Sequence, residues 1–132
     1  MIFLDTDILS YFLAEDAAVS ARLAACLDAG ERICITSVNM YEVLKGFMYK
    51  GSPRKERLFS ELLEHVEIFM FDDAAAVGAA RVYADLRKIG APIGVADILI
   101  AAIVMRNNGM LVSNNTRHYG LIKDLRLTNW LP

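Results

Sequence analysis

Short apolar runs recur along this chain, and each is followed by a segment whose apolar residues return at helical spacing. That alternation constrains the fold more than any other feature. Ile2–Phe3–Leu4 stops abruptly at Asp5, and Thr6 or Asp7 is placed to cap a helix carrying Ile8, Leu9, Phe12 and Leu13 on one face. Ala17 to Ala29 is rich in Ala and Leu and closes on Gly30, a helix C-terminal signal. Arg32 to Thr36 reads as a second strand, Ser37 opens a helix to about Tyr49, and Gly51–Ser52–Pro53 breaks the chain before a helix with Leu58, Leu62 and Leu63. Val66 to Phe71 predicts a third strand. Asp72–Asp73 then begin a long helix through Val77, Val82, Tyr83 and Leu86, ended by Gly90. Pro92 and Gly94 punctuate before a helix over Val95–Asn107, Gly109 stops it, Met110–Ser113 is a fourth strand, and Leu125–Leu127 is a candidate fifth. Strands alternating with helices point to the α/β class, with a parallel sheet covered on both faces.

At 132 residues the chain fits one domain, spanning 1–132. With 55% hydrophobic and 23% charged residues it has ample material for a core, which excludes intrinsic disorder for most of its length. Cys26 and Cys34 lack metal-ligand spacing and read as reduced, buried thiols. The start, MIFLDTD, carries no basic stretch of a secretory leader. The longest uncharged apolar run, Ile98 to Met105, falls well short of the ~18 residues a spanning helix needs. A soluble, cytoplasmic protein without a membrane partner is expected. The net charge of −2 hides an asymmetry. Residues 1–44 hold seven acids against Arg22 and Arg32, whereas residues 45–57 hold Lys45, Lys50, Arg54, Lys55 and Arg57 against Glu56 alone. A third segment, 106–126, sets Arg106, Arg117, Lys123 and Arg126 against Asp124. Such a division suits a cation in one place and phosphate in another.

Ligand sites of open α/β sheets form beyond the carboxyl ends of the strands. Asp5 stands there, after the first strand, where helix capping would equally account for it. Glu42 follows the second strand within Val38–Leu44; Asn39, Lys45 and Gly46 share its helix face, so a solvated pair with Lys45 is its plain structural role. Asp97 heads a helix that is apolar all round, and a carboxylate there must be capped, paired or bound to a cation. A place in the first helical turn, favoured by the helix dipole, is its structural alternative. The fourth strand runs into Ser113–Asn114–Asn115–Thr116–Arg117–His118–Tyr119, read as a polar, flexible loop in which His118 has no metal role and Asn114–Asn115 offer oxygens to a hard cation. Three acids from three α/β units at one sheet edge repel one another unless a divalent cation neutralises them. Oxygen ligands without Cys or His clusters select Mg²⁺ or Mn²⁺ over zinc.

The stretches FLDTDILSYFL (3–13), ITSVNMYEVLKG (35–46), GAPIGVADILIAA (90–102), LVSNNTRHYGLI (111–122) and LRLTNW (125–130) together resemble the PIN-domain ribonucleases, and more closely the VapC-type toxins of toxin–antitoxin pairs. The resemblance implies a three-layer α/β/α sandwich around a central parallel sheet of four to five strands. It implies that Asp5, Glu42 and Asp97 hold the catalytic metal, Mg²⁺ with Mn²⁺ able to substitute, and that Asn115 fills a fourth catalytic position often occupied by Asp in the wider superfamily. Asp7 stands close behind these, Ser113 keeps the hydroxyl of a frequent Thr, and Gly120 replaces a commonly polar residue. The implied activity is endonucleolytic RNA hydrolysis by a metal-activated water, leaving 5′-phosphate and 3′-hydroxyl ends. Lys45, the 50–57 cluster and Arg117 are candidates to steer the RNA backbone. The family also implies a homodimer and an antitoxin partner, with Tyr11, Phe12, Phe47 and Met48 as exposed apolar candidates for contact. Transfer, ribosomal and messenger RNA are all compatible substrates.

Two other readings compete. Leu4–Asp5–Thr6–Asp7 resembles the first motif of haloacid-dehalogenase-type phosphatases, which work through an aspartyl phosphate; the downstream Lys and acid pair of that class have no counterpart at the apolar helix behind Asp97. A PIN-like binding module for RNA or protein, with a decayed site, is the non-enzymatic alternative.

Overall fold

The computed structural model describes every residue except 92, so the punctuation assigned to Pro92 lies outside the described residues. The elements follow the order β1 (Ile2–Leu4), α1 (Thr6–Leu13), α2 (Ala17–Asp28), β2 (Ile33–Thr36), α3 (Ser37–Tyr49), α4 (Pro53–Leu63), β3 (Glu67–Phe69), α5 (Asp73–Lys88), α6 (Val95–Arg106), β4 (Met110–Val112), α7 (Thr116–Tyr119) and β5 (Arg126–Thr128). All five strands pair in parallel in the order β3-β2-β1-β4-β5. The chain builds outward from β1 to β3 on one side and then returns to lay β4 and β5 on the other. The direction therefore reverses between β1 and β4, and in open α/β sheets ligands bind at such a switch point.

Period-two alternation along the strands divides the core. Phe3, Cys34 and Leu111 point to one face, where α5 and α6 cover them. Ile2, Leu4, Ile33, Ile35 and Val112 point to the other, against α1 through α4. Both faces are buried, which gives the expected three layers. The apolar stretch 98–105 of α6 is mostly buried because α5 packs along the helix: Ile100, Ala101, Ile103 and Val104 have no solvent exposure.

Several elements depart from the sequence reading. In α5 the inward residues are Ala75, Ala79, Val82 and Leu86, while Val77 and Tyr83 face solvent. Small residues win the inner face because the approach to α6 is close; a Cβ on Gly78 would stand 3.9 Å from that of Ala102. Strand β3 ends at Phe69, leaving Met70 and Phe71 exposed, since its partner β2 ends at Thr36, opposite Phe69. In α4 the deeply buried residues are Phe59 and Leu62, with Leu58 only partly buried. Cys34 is buried and Cys26 only half-buried; both are free. The segment after β4 is an ordered helical turn, α7, with Tyr119 fully buried, and Tyr119 anchors it through the core. Gly109 does more than stop α6: a Cβ there would collide with the Phe3 ring. Among the described residues, no helix is long and apolar enough to cross a membrane.

Candidate active site

The parallel register aligns Leu4 with Val112, so the next residues, Asp5 and Ser113, emerge side by side past the strand ends. The Asp5 amide still donates to the Val112 carbonyl at 3.0 Å. Asp5 occupies the N-cap position of α1, yet its side chain makes no cap hydrogen bond. Neither Thr6 nor Asp7 is the cap; both lie inside α1. The Asp5 carboxylate turns inward instead. Its Oδ2 accepts from Ser113 Oγ at 2.8 Å, and its Oδ1 accepts from the Tyr119 hydroxyl at 3.1 Å and from Asn39 Nδ2 at 3.5 Å.

Asp97 lies in the first turn of α6, third from its start, as its spacing from Gly94 predicts. Its Oδ1 faces the same Tyr119 hydroxyl at 3.2 Å, and its Oδ2 accepts from Asn115 Nδ2 at 3.3 Å. One phenol thus joins two carboxylates from opposite ends of the chain. A phenol carries a single proton, so it satisfies only one of them at a time. Burial and the two neighbouring acids push the Tyr119 hydroxyl far above its ordinary pKa, and it stays neutral.

Glu42 does not join this pair directly. It is half-buried on α3 and accepts from Thr6 Oγ1 at 2.6 Å. Thr6 Oγ1 in turn accepts from Asn39 Nδ2 at 3.0 Å, so Glu42 connects to Asp5 through Thr6 and Asn39. The arrangement originates in a capping box at the start of α3. Asn39 Oδ1 accepts from the Thr36 amide and hydroxyl at 2.9 and 2.7 Å, and the Asn39 amide donates to Thr36 Oγ1 at 3.1 Å. Its Nδ2 is left to bind both Thr6 and Asp5. The expected Lys45 pairing with Glu42 is not formed; the Lys45 ammonium stands 5.2 Å over the Tyr41 ring.

Asp7 completes the acidic edge, with its Oδ2 accepting from the Asn114 amide at 2.9 Å. Asn115 caps α7 in position but not through its side chain, which is committed to Asp97 and to His118 Nδ1 at 3.4 Å. Burial, reinforced by repulsion from Asp7 and Asp97, pushes Asp5 up to about 6 despite the Ser113 hydrogen bond. Burial likewise raises Asp7. Among the described residues, the ion pairs are Arg32–Glu67 and Arg54–Glu15, so no basic side chain neutralises these acids.

Positive charge is what the site lacks, and its donors are hard oxygens suited to Mg²⁺ or Mn²⁺. As placed, no three Asp, Glu, His or Cys side chains among the described residues stand close enough to share one ion. Asp5 and Asp97 form the ready pair, and Glu42 is linked to Asp5 through the Thr6 hydroxyl and the Asn39 amide.

The sequence points to Thr6 only as a helix cap and to Asn39 only as a neighbour of Glu42, and it gives Tyr119 no separate role. Thr36-x-x-Asn39 at a strand-to-helix junction is a legible capping signal for Asn39. Tyr119 carries no such signal, because only the tertiary fold brings α7 beneath both acids.

A family model described as PIN domain matches residues 2–123. The tRNA(fMet)-specific endonuclease VapC of Shigella flexneri is 29% identical to this chain, with 96% of each covered. Ribonuclease VapC1 of Haemophilus influenzae is 25% identical over the same shares. Among solved structures, VapBC2 from Rickettsia felis, bound to a DNA fragment from its promoter, superposes with a TM-score of 0.91 at 26% identity, covering 99% of this chain and 100% of that one. With the phenol-bridged acids at the switch point of an all-parallel sheet, and with a match running nearly end to end, the chain belongs to the PIN-domain family.

Proposed function

We propose that this chain is a divalent-cation-dependent endoribonuclease, the toxin of a toxin–antitoxin pair, with residues 1–132 acting as one domain. The observation that carries this reading is the convergence of Asp5 and Asp97 on the Tyr119 hydroxyl, without any basic counter-charge, beyond the ends of β1 and β4. Asp5, Asp97 and Glu42 would hold Mg²⁺, with Mn²⁺ able to substitute. When bound, the ion supplies the positive charge that neutralises the acids, polarises a phosphoryl oxygen and acidifies a nearby water. The chain's own residues organise the rest. Ser113 and Tyr119 fix the two oxygens of Asp5, Asn115 fixes the outer oxygen of Asp97, and Thr6 aims Glu42. The four residues Asp5, Glu42, Asp97 and Asn115 form the catalytic set. Hydrolysis by water, with the ribose 3′ oxygen leaving, yields 5′-phosphate and 3′-hydroxyl ends without a covalent enzyme intermediate.

The VapC relatives named as tRNA(fMet)-specific endonucleases favour tRNA as the first substrate class to test, ahead of ribosomal RNA. The VapBC structures similar to this chain support a cognate antitoxin as partner. A homodimer in the cytoplasm is the working assembly of this reading. The test is cleavage of total RNA by the purified chain with Mg²⁺ or Mn²⁺, with EDTA, and beside Asp5→Ala. Metal-dependent cuts bearing 5′-phosphates and absent in the variant are expected. Equal cutting by parent and variant, or RNA binding without cleavage after removal of any copurifying partner, overturns the assignment, the second outcome leaving a binding module.

A further inference from the structure

Thr6 and Glu42, linked to Asp5 through Asn39, also line a cavity of about 450 Å³ bounded by α1, α3 and the start of α4. Its volume falls in the ~300–1,000 Å³ range of small-ligand pockets. Leu13, Val43 and Phe47 give it an apolar floor. The Phe47 ring is fixed edge-on against Phe59, with centroids 5.9 Å apart at 70°. Gly46 also lines it, and a Cβ there would meet nothing within 4 Å. Lys50, Ser52 and Lys55 stand around the rim. Glu42 is the only acid of the lining, and it is shared with the acidic site.

The structure divides the basic run 45–57 by what each member meets. Lys45 lies over Tyr41, Arg54 pairs with Glu15, and Arg57 borders a separate groove with Glu56 and Glu61. Of this run only Lys50 and Lys55 line the cavity beside Glu42, and neither forms an ion pair among the described residues. A cation-seeking edge and a two-lysine cavity thus share a wall. A nucleic-acid strand needs both, because its phosphates succeed one another at fixed spacing: one at the acids with their cation, the next at an ammonium group.

We propose that this cavity is a nucleotide subsite, in which Lys50 and Lys55 take the phosphate adjacent to the scissile one and the Phe47–Leu13 floor receives its sugar or base. The assignment rests on the ribonuclease reading and adds to it the two residues that position the strand. Charge steers the phosphate to the rim, and the apolar floor receives the less polar sugar or base behind it.

The test uses fluorescence anisotropy of fluorescein-labelled bulk tRNA in EDTA, which reads binding without cleavage, over a KCl series. The Lys50→Ala/Lys55→Ala double variant is expected to bind about five- to ten-fold more weakly. Its slope of log affinity against log salt should be shallower by about 0.7, since the two lysines together neutralise one phosphate. Arg81→Ala/Lys88→Ala removes the same charge beside a groove on the α5 side of the molecule and should leave both quantities unchanged. Gly46→Leu fills the cavity without altering charge and should weaken binding with the salt slope retained. With Mn²⁺ present, the lysine variant should raise KM several-fold and leave kcat nearly intact. Equal losses in the two charge-removal variants overturn the subsite in favour of general attraction. Parental affinity in Gly46→Leu also overturns it, and returns the cavity to a protein side chain. Should the parent fail to cleave RNA at all, the ribonuclease reading falls, while the anisotropy series still decides whether these lysines hold a strand.

Discussion

The acidic edge and the lysine-lined cavity meet at Thr6 and Glu42, yet they are built in opposite ways. At the edge no buried side-chain polar atom among the described residues lacks a hydrogen-bond partner. Asp5 is 5% exposed, and its oxygens accept from Ser113, Tyr119 and Asn39, three residues brought from distant parts of the chain. In the cavity Lys50 and Lys55 are exposed on the short connection between α3 and α4 and on the first turn of α4. Buried charges must be fixed and satisfied, because an unpaired one costs several kcal/mol. Exposed ammonium groups keep their water and their freedom, which suits a ligand that arrives and leaves. Like charge held rigidly under burial stores affinity for a cation; mobile charge at a rim supplies weaker, salt-sensitive attraction.

Changes at the two places should separate along those lines. Asp97→Asn keeps an oxygen for Tyr119 but removes a charge from the ready pair, so cleavage should fall by at least about 10²-fold. The melting temperature of that variant without metal should stay near the parent's. Mn²⁺ should raise the parent's melting temperature, by the equivalent of about 2.7 kcal/mol at a hundredfold excess over its dissociation constant, and should raise the variant's much less. Initial rates and thermal melts check both; a variant that cuts as fast as the parent removes Asp97 from the site.

Tyr119→Phe retains the buried ring and deletes the hydroxyl between the acids. About a 10- to 100-fold loss in metal affinity or cleavage rate is expected, the scale seen when a group orienting metal ligands is removed. Manganese titration beside single-turnover cleavage reads it, and parental values for both would show the bridge to be incidental. On the cavity side, Gly46→Ala should stabilise α3 by about 0.5–1 kcal/mol in urea unfolding, since the added methyl meets nothing. Gly46 lines the proposed nucleotide space, so stability should rise while RNA affinity does not. The smallest effect concerns thiols outside both regions. Burial pushes Cys34 up to about 11 and also raises Cys26, which is only half-buried. In the folded protein at pH 8, alkylation followed by mass spectrometry should therefore mark Cys26 slowly and Cys34 hardly at all.

Local chemistry determined much of this protein in a form that can be read without coordinates. Apolar triplets ending at polar residues marked the strands, Gly30 and Gly90 marked helix ends with their positive φ, and the uniformly apolar 98–105 segment marked a helix covered on both sides. Asp5 and Asp97 were legible because strand ends and buried helix starts are places where a carboxylate requires a reason. Tertiary structure alone decided the remainder. Which face of α5 turns inward depended on the close approach to α6, and so the large residues Val77 and Tyr83 yielded to alanines. Tyr119, 22 residues beyond Asp97 and 114 beyond Asp5, became their common partner only when β4 paired with β1 and carried α7 beneath the sheet edge. The five bases of 45–57 are nearly equivalent as a string of charges; packing of α1, α3 and α4 gave two of them a cavity and the others separate neighbours. Periodicity and capping act over a few residues and are written locally. Hydrogen bonds across a hundred residues, and the empty space between helices, exist only after the chain has closed on itself.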